Sequence, residues 1–279
     1  MARKRATLTD LLNDLTFKII YEKYKLIAIN CFEWSGLPEG IEEKYIEKEL
    51  FEHGKAIFFR DPQMDFMTLE CMETGQQNVY GEPLSYTATG FNYLKVYDAD
   101  DCVIIENNKL RLDTEQFIYF YTNKLTEAER TMDVNVKSVK SPVVFACDDK
   151  DVLTFKRLFQ QVDGNVPAIF ADKGLQIDAI QVYDTKAKFL CNDLMDYKKS
   201  VENELLTFLG FNNLPSDKKE RQLVDEVNSN NQLIEGFAEL QLTARKLACE
   251  RINKKYTLNV SVKRRTQQEV KEVVEDVDE

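Results

Sequence analysis

Apolar residues recur at helical spacing from Leu8 to Trp34, through Leu11, Leu12, Leu15 and Ile19 and then Ile20, Tyr24, Ile27 and Cys31. A side chain every three or four residues keeps one face of a helix apolar, so the stretch predicts one long helix or two abutting ones. Gly36 and Pro38 stop it. A shorter helix is predicted from about Ile41 to His53, with Gly54 where a left-handed cap belongs. Between Lys55 and Leu112 the texture changes to short apolar runs, Ala56–Phe59, Phe66–Leu69, Tyr93–Tyr97 and Cys102–Ile105, separated by Gly, Pro, Asn and Asp. That alternation predicts a small β domain with the character of an SH3-like barrel.

Helical period returns from Thr114 to Val136, through Phe117, Tyr121, Leu125, Ala128, Met132 and Val136. A mixed segment follows: a strand at Val143–Ala146, a helix at Val152–Gln161, and strands at Pro167–Ala171 and Ile177–Tyr183. The next helix is predicted from Ala187 to Leu209, with Leu190, Leu194, Tyr197, Val201, Leu205 and Phe208 on one face. The polar stretch Asn212–Asn228 contains Pro215 and reads as a long loop. Ser229 and Gln232 have capping-box spacing for a helix whose face is Leu233, Phe237, Leu240, Ala244, Leu247 and Ile252. A strand at Thr257–Lys263 precedes a tail in which Lys263–Arg265 gives way to Glu269, Glu272, Glu275, Asp276, Asp278 and Glu279. The tail reads as mobile. The fold class is α+β with mainly long helices.

Length and composition narrow the function. The 279 residues, 43% hydrophobic and 30% charged, are enough for a substantial core in one large domain or two modest ones. A net charge of −11, from 37 Lys and Arg against 48 Asp and Glu, argues against a general nucleic-acid coat; any DNA contact must be local. The six cysteines, Cys31, Cys71, Cys102, Cys147, Cys191 and Cys249, are far apart with no CxxC pair and read as reduced thiols. The basic N-terminus runs into polar residues, which is no secretion signal, and no stretch reaches membrane-span length.

Catalytic chemistry is hard to find. One histidine, His53, stands at a helix end, where it reads as part of the C-terminal cap. No glycine-rich nucleotide cradle is present. Asp98, Asp100 and Asp101 open like a calcium loop, but Val103 replaces the required glycine and Lys109 the bidentate glutamate, so a solvated turn is the expectation. Asp148, Asp149 and Asp151 could hold a metal in a nuclease, or simply cap the helix that follows. No cofactor and no enzymatic activity are expected. The basic groups Arg3, Lys4, Arg5, Lys186, Lys188, Lys218, Lys219 and Arg221 read, by composition alone, as solvated surface.

The order of several motifs carries more. Residues Met1–Arg5, Phe32–Pro38, Gly54–Phe59 with Asp61 and Pro62, Gly75–Tyr80 and Gly164–Ala171 come in sequence. They are followed by Thr207–Gly210, Lys218–Arg221, Asp225–Val227, Ser229 and Asn230, Ala248–Asn253 and Leu258–Lys263. In this order the chain resembles the upper collar, or head-tail connector, proteins of phi29-like short-tailed bacteriophages.

The resemblance implies a portal fold and a homo-oligomeric ring, typically of twelve subunits, at one vertex of the virion, assembled in the host cytoplasm. It divides the chain into an N-terminal helical part of the wing (1–54), an SH3-like β wing (55–113), a stem helix (114–139) and a small α/β clip (140–184). A second stem helix (185–210), a channel loop (211–229) and a wide end with helix, strand and acidic tail (230–279) complete it. Double-stranded DNA passes through the channel during packaging and ejection. Further partners would be the major capsid and scaffolding proteins, the packaging ATPase, the lower collar and tail proteins and, in some relatives, a packaging RNA, with no membrane. Lys218, Lys219 and Arg221 fall on the channel loop, Lys186 and Lys188 beside the stem, and Arg3, Lys4 and Arg5 at the basic end that engages the packaging machinery. Asp184 and Asp193 stand where the best-known relative has channel-facing lysines. Against this stands an adaptor of the virion that never touches DNA.

Overall fold

The structure, a computed structural model, describes residues 8–139, 143–145, 180–182, 188–211 and 224–265. The first apolar stripe forms helix α1 (Leu8–Ile29), which stops short of its predicted end. Phe32–Ser35 instead forms strand β1, paired antiparallel with β9 (Ser261–Arg264), Phe32 opposite Arg264 and Ser35 opposite Ser261. The helical period is overridden because β9 supplies a ladder partner from the far end of the chain, while Phe32 and Trp34 are buried. Gly36 lets that partner approach: at φ +73 it turns the chain, and a Cβ there would collide with the Asn259 carbonyl.

Helix α2 (Glu43–His53) buries Ile46, Glu47, Leu50 and Phe51. Its predicted cap is present: Gly54, at φ +72, donates its N–H to the Leu50 carbonyl at 3.1 Å. Strands β2 (Lys55–Asp61), β3 (Asp65–Gln77), β4 (Pro83–Gly90), β5 (Tyr93–Asp98) and β6 (Cys102–Glu106) then form an antiparallel sheet in the order β5-β4-β3-β2-β6. β2 and β6 are buried on both faces, which is why they read as unbroken apolar runs. One face (Ile57, Phe59, Cys102, Ile104) meets Cys71, Tyr86, Ala88 and Tyr97 of β3 to β5. The other (Ala56, Phe58, Val103, Ile105) joins a larger core with α1, α2 and the C-terminal helix. The sheet curls enough that Phe59 of β2 lies 4.4 Å from Tyr97 on the edge strand β5, ring centre to ring centre.

Helix α3 (Glu115–Val139) starts one residue after the predicted Thr114 and runs three past Val136. Strands β7 (Val143–Phe145) and β8 (Ile180–Val182) pair antiparallel, Val143 opposite Val182, within the two strands expected there. The helix expected at Val152–Gln161 and the strand at Pro167–Ala171 lie outside the described residues. Helix α4 (Cys191–Phe208) lies within the expected Ala187–Leu209 but starts later, residues 188–190 being non-helical.

Helix α5 (Val224–Tyr256) corrects the sequence reading. Ser229 and Gln232 sit inside it, so they form no capping box, and the expected loop ends before Val224. Between Val224 and Gly236 there is no glycine or proline; Asn and Ser cost only a few tenths of a kcal/mol each, which does not stop a helix already propagating. Lys263–Arg265 is likewise no tail, since Lys263 and Arg264 belong to β9.

The fold divides into two units, residues 1–127 with 198–279 and residues 128–197, and the boundary falls inside both α3 and α4. In the first, the core gathers both ends of the chain: Tyr24, Trp34, Leu50, Ile118, Leu125, Leu205, Ile252 and Val260. In the second, Asn135 of α3 fastens the start of α4. Its Nδ2 donates to the Lys188 carbonyl and its Oδ1 accepts from Leu190 N–H, each at 2.9 Å.

Candidate functional surfaces

A polar network in the larger unit joins α5 to the rest of that unit. Glu47 on α2 and Arg245 on α5 are both 2% exposed. The guanidinium meets the carboxylate with two parallel bonds, Nε to Oε1 at 2.8 Å and Nη2 to Oε2 at 2.7 Å. Trp34 Nε1 adds a bond to Oε1 at 2.8 Å. Arg245 also reaches Asn107 Oδ1 at 3.1 Å and the Gln241 carbonyl at 3.2 Å, and it stacks 4.0 Å over the Phe32 ring. Asn107 passes the network on, through Nδ2, to Thr114 at the head of α3. A buried ion pair is tolerated only when such additional bonds satisfy both groups, and here they do.

Two more arginines tie down the end of the described chain. Arg264 donates to the Leu209 carbonyl at 2.6 Å, satisfying a group left open where α4 ends. Arg265 reaches the Phe32 carbonyl at 2.5 Å and Glu43 at 2.6 Å. In the sheet, Asp61 accepts from the Gln63 N–H, the Tyr93 hydroxyl and the Lys95 ammonium at 2.9, 2.9 and 3.2 Å. Those bonds, the Gln63 one foremost, hold its carboxyl well below the usual range and lash the β2–β3 turn to β5.

The stripes expected to be core are only partly covered. Leu125, Val201, Leu205, Ala244 and Ile252 are buried, but Val136 on α3, Leu190 and Tyr197 beside and on α4, and Leu233 and Leu240 on α5 are exposed. Tyr119 and Phe120 on α3 are each 54% exposed and Leu240 is 58% exposed. Large apolar side chains left in water on one helix after another are the kind of surface that binding covers.

Of the basic residues singled out from the sequence, Lys188 alone is described. It is exposed, immediately ahead of α4, where Asp193 occupies the first turn. Arg3, Lys4, Arg5, Lys186, Lys218, Lys219 and Arg221 lie outside the described residues, as do Asp148, Asp149, Asp151 and Asp184. His53 ends α2 with Nε2 3.7 Å from Glu49 and 3.9 Å from Glu70. Asp98, Asp100 and Asp101 form the β5–β6 turn, pinned by Lys255 and Tyr256 of α5 on the Asp100 and Asp101 carbonyls. Among the described residues no cluster of His, Cys, Asp or Glu is placed to hold a metal, and no helix is long and apolar enough to cross a membrane.

A family model described as Phage Connector (GP10) matches residues 4–269. Among solved structures, the chain is similar to one in the portal and tail of native bacteriophage P68, at TM-score 0.51 and 12% identity over 98% of this chain and 96% of that one. It is also similar, at TM-score 0.43 and 10% identity over 95% and 96%, to an HK97 family phage portal protein from Corynebacterium diphtheriae. Identities this low speak to fold alone, and the first match supplies it: the mixed helix-and-sheet architecture is that of a phage portal.

Proposed function

This chain belongs to the phage connector family, and from that premise we propose that its copies close into a ring of twelve at one capsid vertex, around the channel for packaging and ejecting double-stranded DNA. The carrying observation is that α3, α4 and α5 each leave aromatic or aliphatic side chains exposed. Burying each such residue is worth about 1.5–3 kcal/mol, and a closed ring of identical subunits buries them on every copy through one repeated head-to-tail contact.

In this reading α3 and α4 are the stem, residues 140–184 the clip, the β2–β6 sheet an SH3-like wing, and α5 with β9 the wide end. Arg3, Lys4 and Arg5 face the packaging ATPase and, where one is used, a packaging RNA. Capsid, scaffolding and tail proteins dock on the outside, and the ring is a structural part rather than an enzyme. Lys218, Lys219 and Arg221 touch passing phosphates, with Lys186 and Lys188 near the stem. The contacts are weak because few cations work against a net charge of −11. Weak contacts let a polyanion slide where a fully basic wall would arrest it. Replacing Lys218, Lys219 and Arg221 together by alanine should leave ring assembly intact and reduce retention of packaged DNA; normal retention in particles carrying the triple variant contradicts the channel-loop assignment.

A further inference from the structure

An open cleft of about 900 Å³ lies between the β4 and β6 strands, the β5–β6 turn and the last turns of α5. We infer that this cleft holds the acidic segment Glu269–Glu279 of its own chain. Its lining mixes apolar side chains, Leu84 and Leu247 among them, with charged ones. Five cations line it, Lys109, Arg111, Arg251, Lys254 and Lys255, against the carboxylates of Glu82, Asp100 and Glu106. Two of the five have other work. Arg111 is held by Glu73, Glu82 and Glu106, and Lys255 by the carbonyls of Asp100 and Cys102. Lys109, Arg251 and Lys254 are exposed and make no ion pair with any described residue. Three neighbouring cations left open on so acidic a chain repel one another and favour an anionic partner.

The segment after Arg265 has the complementary pattern. Glu269, Glu272, Glu275, Asp276, Asp278 and Glu279 face a single cation, Lys271. Val270, Val273, Val274 and Val277 stand among these acids, so the segment offers apolar side chains to Leu84 and Leu247 as well as carboxylates to the cations. Reach is sufficient. Arg265 follows Tyr256 by nine residues, so it lies within about 30 Å of the cleft end of α5, while the 14 residues after Arg265 span up to about 46 Å. Tethering favours the chain's own segment over any free one, because the second encounter is intramolecular. Nucleic acid is a poorer occupant, since Leu84 and Leu247 offer a phosphate backbone nothing.

The test is zero-length carbodiimide cross-linking of the full chain, in whatever oligomer it forms, with equal parts of normal and heavy-isotope protein mixed before assembly. Peptide mass spectrometry should find amides from Glu269–Glu279 concentrated on Lys109 and Lys254, within one isotope, and several-fold fewer of them on Lys254 in Arg251→Glu. Cross-links spread equally over Lys18, Lys44 and Lys48, unchanged by Arg251→Glu, or joining unlike isotopes overturn the inference. So does a short DNA duplex that occupies the cleft and removes them. Ring closure does not enter this readout, so the two ideas fail separately.

Discussion

Arg245 and Glu47, 198 residues apart in sequence, meet side by side in the buried interior with two charge-assisted bonds of 2.8 and 2.7 Å. The pair fixes the roll of α5 about its axis. That roll decides which of its side chains enter the core, as Ala244, Ala248 and Ile252 do, and which remain outside, as Leu233 and Leu240 do.

Removing one partner strands the other charge away from water. Arg245→Ala and Glu47→Ala should each cost about 3–5 kcal/mol of unfolding free energy, whereas an apolar pair such as Glu47→Leu with Arg245→Met should recover most of it. Urea unfolding of the three variants measures this, and single variants no weaker than the double one would refute it.

Acid should act through Asp61. Its carboxyl is depressed in the folded state by the bonds from Gln63 and Tyr93, so its contribution is complete above the ordinary aspartate value, about 3.9, and is lost as pH falls from there through the folded value. Asp61→Asn should therefore be weaker than the parent at pH 7, with the difference shrinking at pH 3. A pH-independent difference would show that the charge is not what matters.

Burial pushes the thiols of Cys31, Cys71 and Cys249 up to about 12 and that of Cys102 to about 11. Thiolate is the reactive form, so these four should resist alkylation at pH 8 until the chain unfolds. Cys191, half-exposed at the start of α4, should be labelled first among the five described cysteines. Mass spectrometry of a timed alkylation gives the order, and fast labelling of Cys31 or Cys249 would contradict the core packing.

Leu233 and Leu240 project from α5 without supporting the fold of their own subunit. Aspartate at both should leave the unfolding midpoint within about 0.5 kcal/mol of the parent, as for other surface changes, and shift sedimentation from a large assembly to the single chain. A variant that still assembles would place the subunit contact elsewhere.

What could be read in advance follows from how local the determinants are. Gly54 closing α2, and the spans of α3 and α4, depend on neighbours a few residues away, and each was legible. β1 was not, because the partner that pulls Phe32–Ser35 out of a helical pattern is β9. β4 escaped because Tyr86 and Ala88 alternate with Ser85, Thr87 and Thr89, too weak an apolar signal to stand out. Arg264 and Arg265 looked like the start of a charged tail, and only their distant carbonyl and carboxylate partners show them to be ties. Arg245 left one clue, a charge set between Ala244 and Leu247 on an apolar stripe, but a sequence cannot say that Glu47 answers it. The basic residues at 3–5, 186, 218, 219 and 221 were singled out through family resemblance, and they lie outside the described residues.

Everything proposed about function requires identical copies to close on themselves. Electron micrographs of the purified protein should show annular particles with a central opening wide enough for a DNA duplex. Single 32.4 kDa chains at assembly concentrations, or annuli with no such opening, would contradict it.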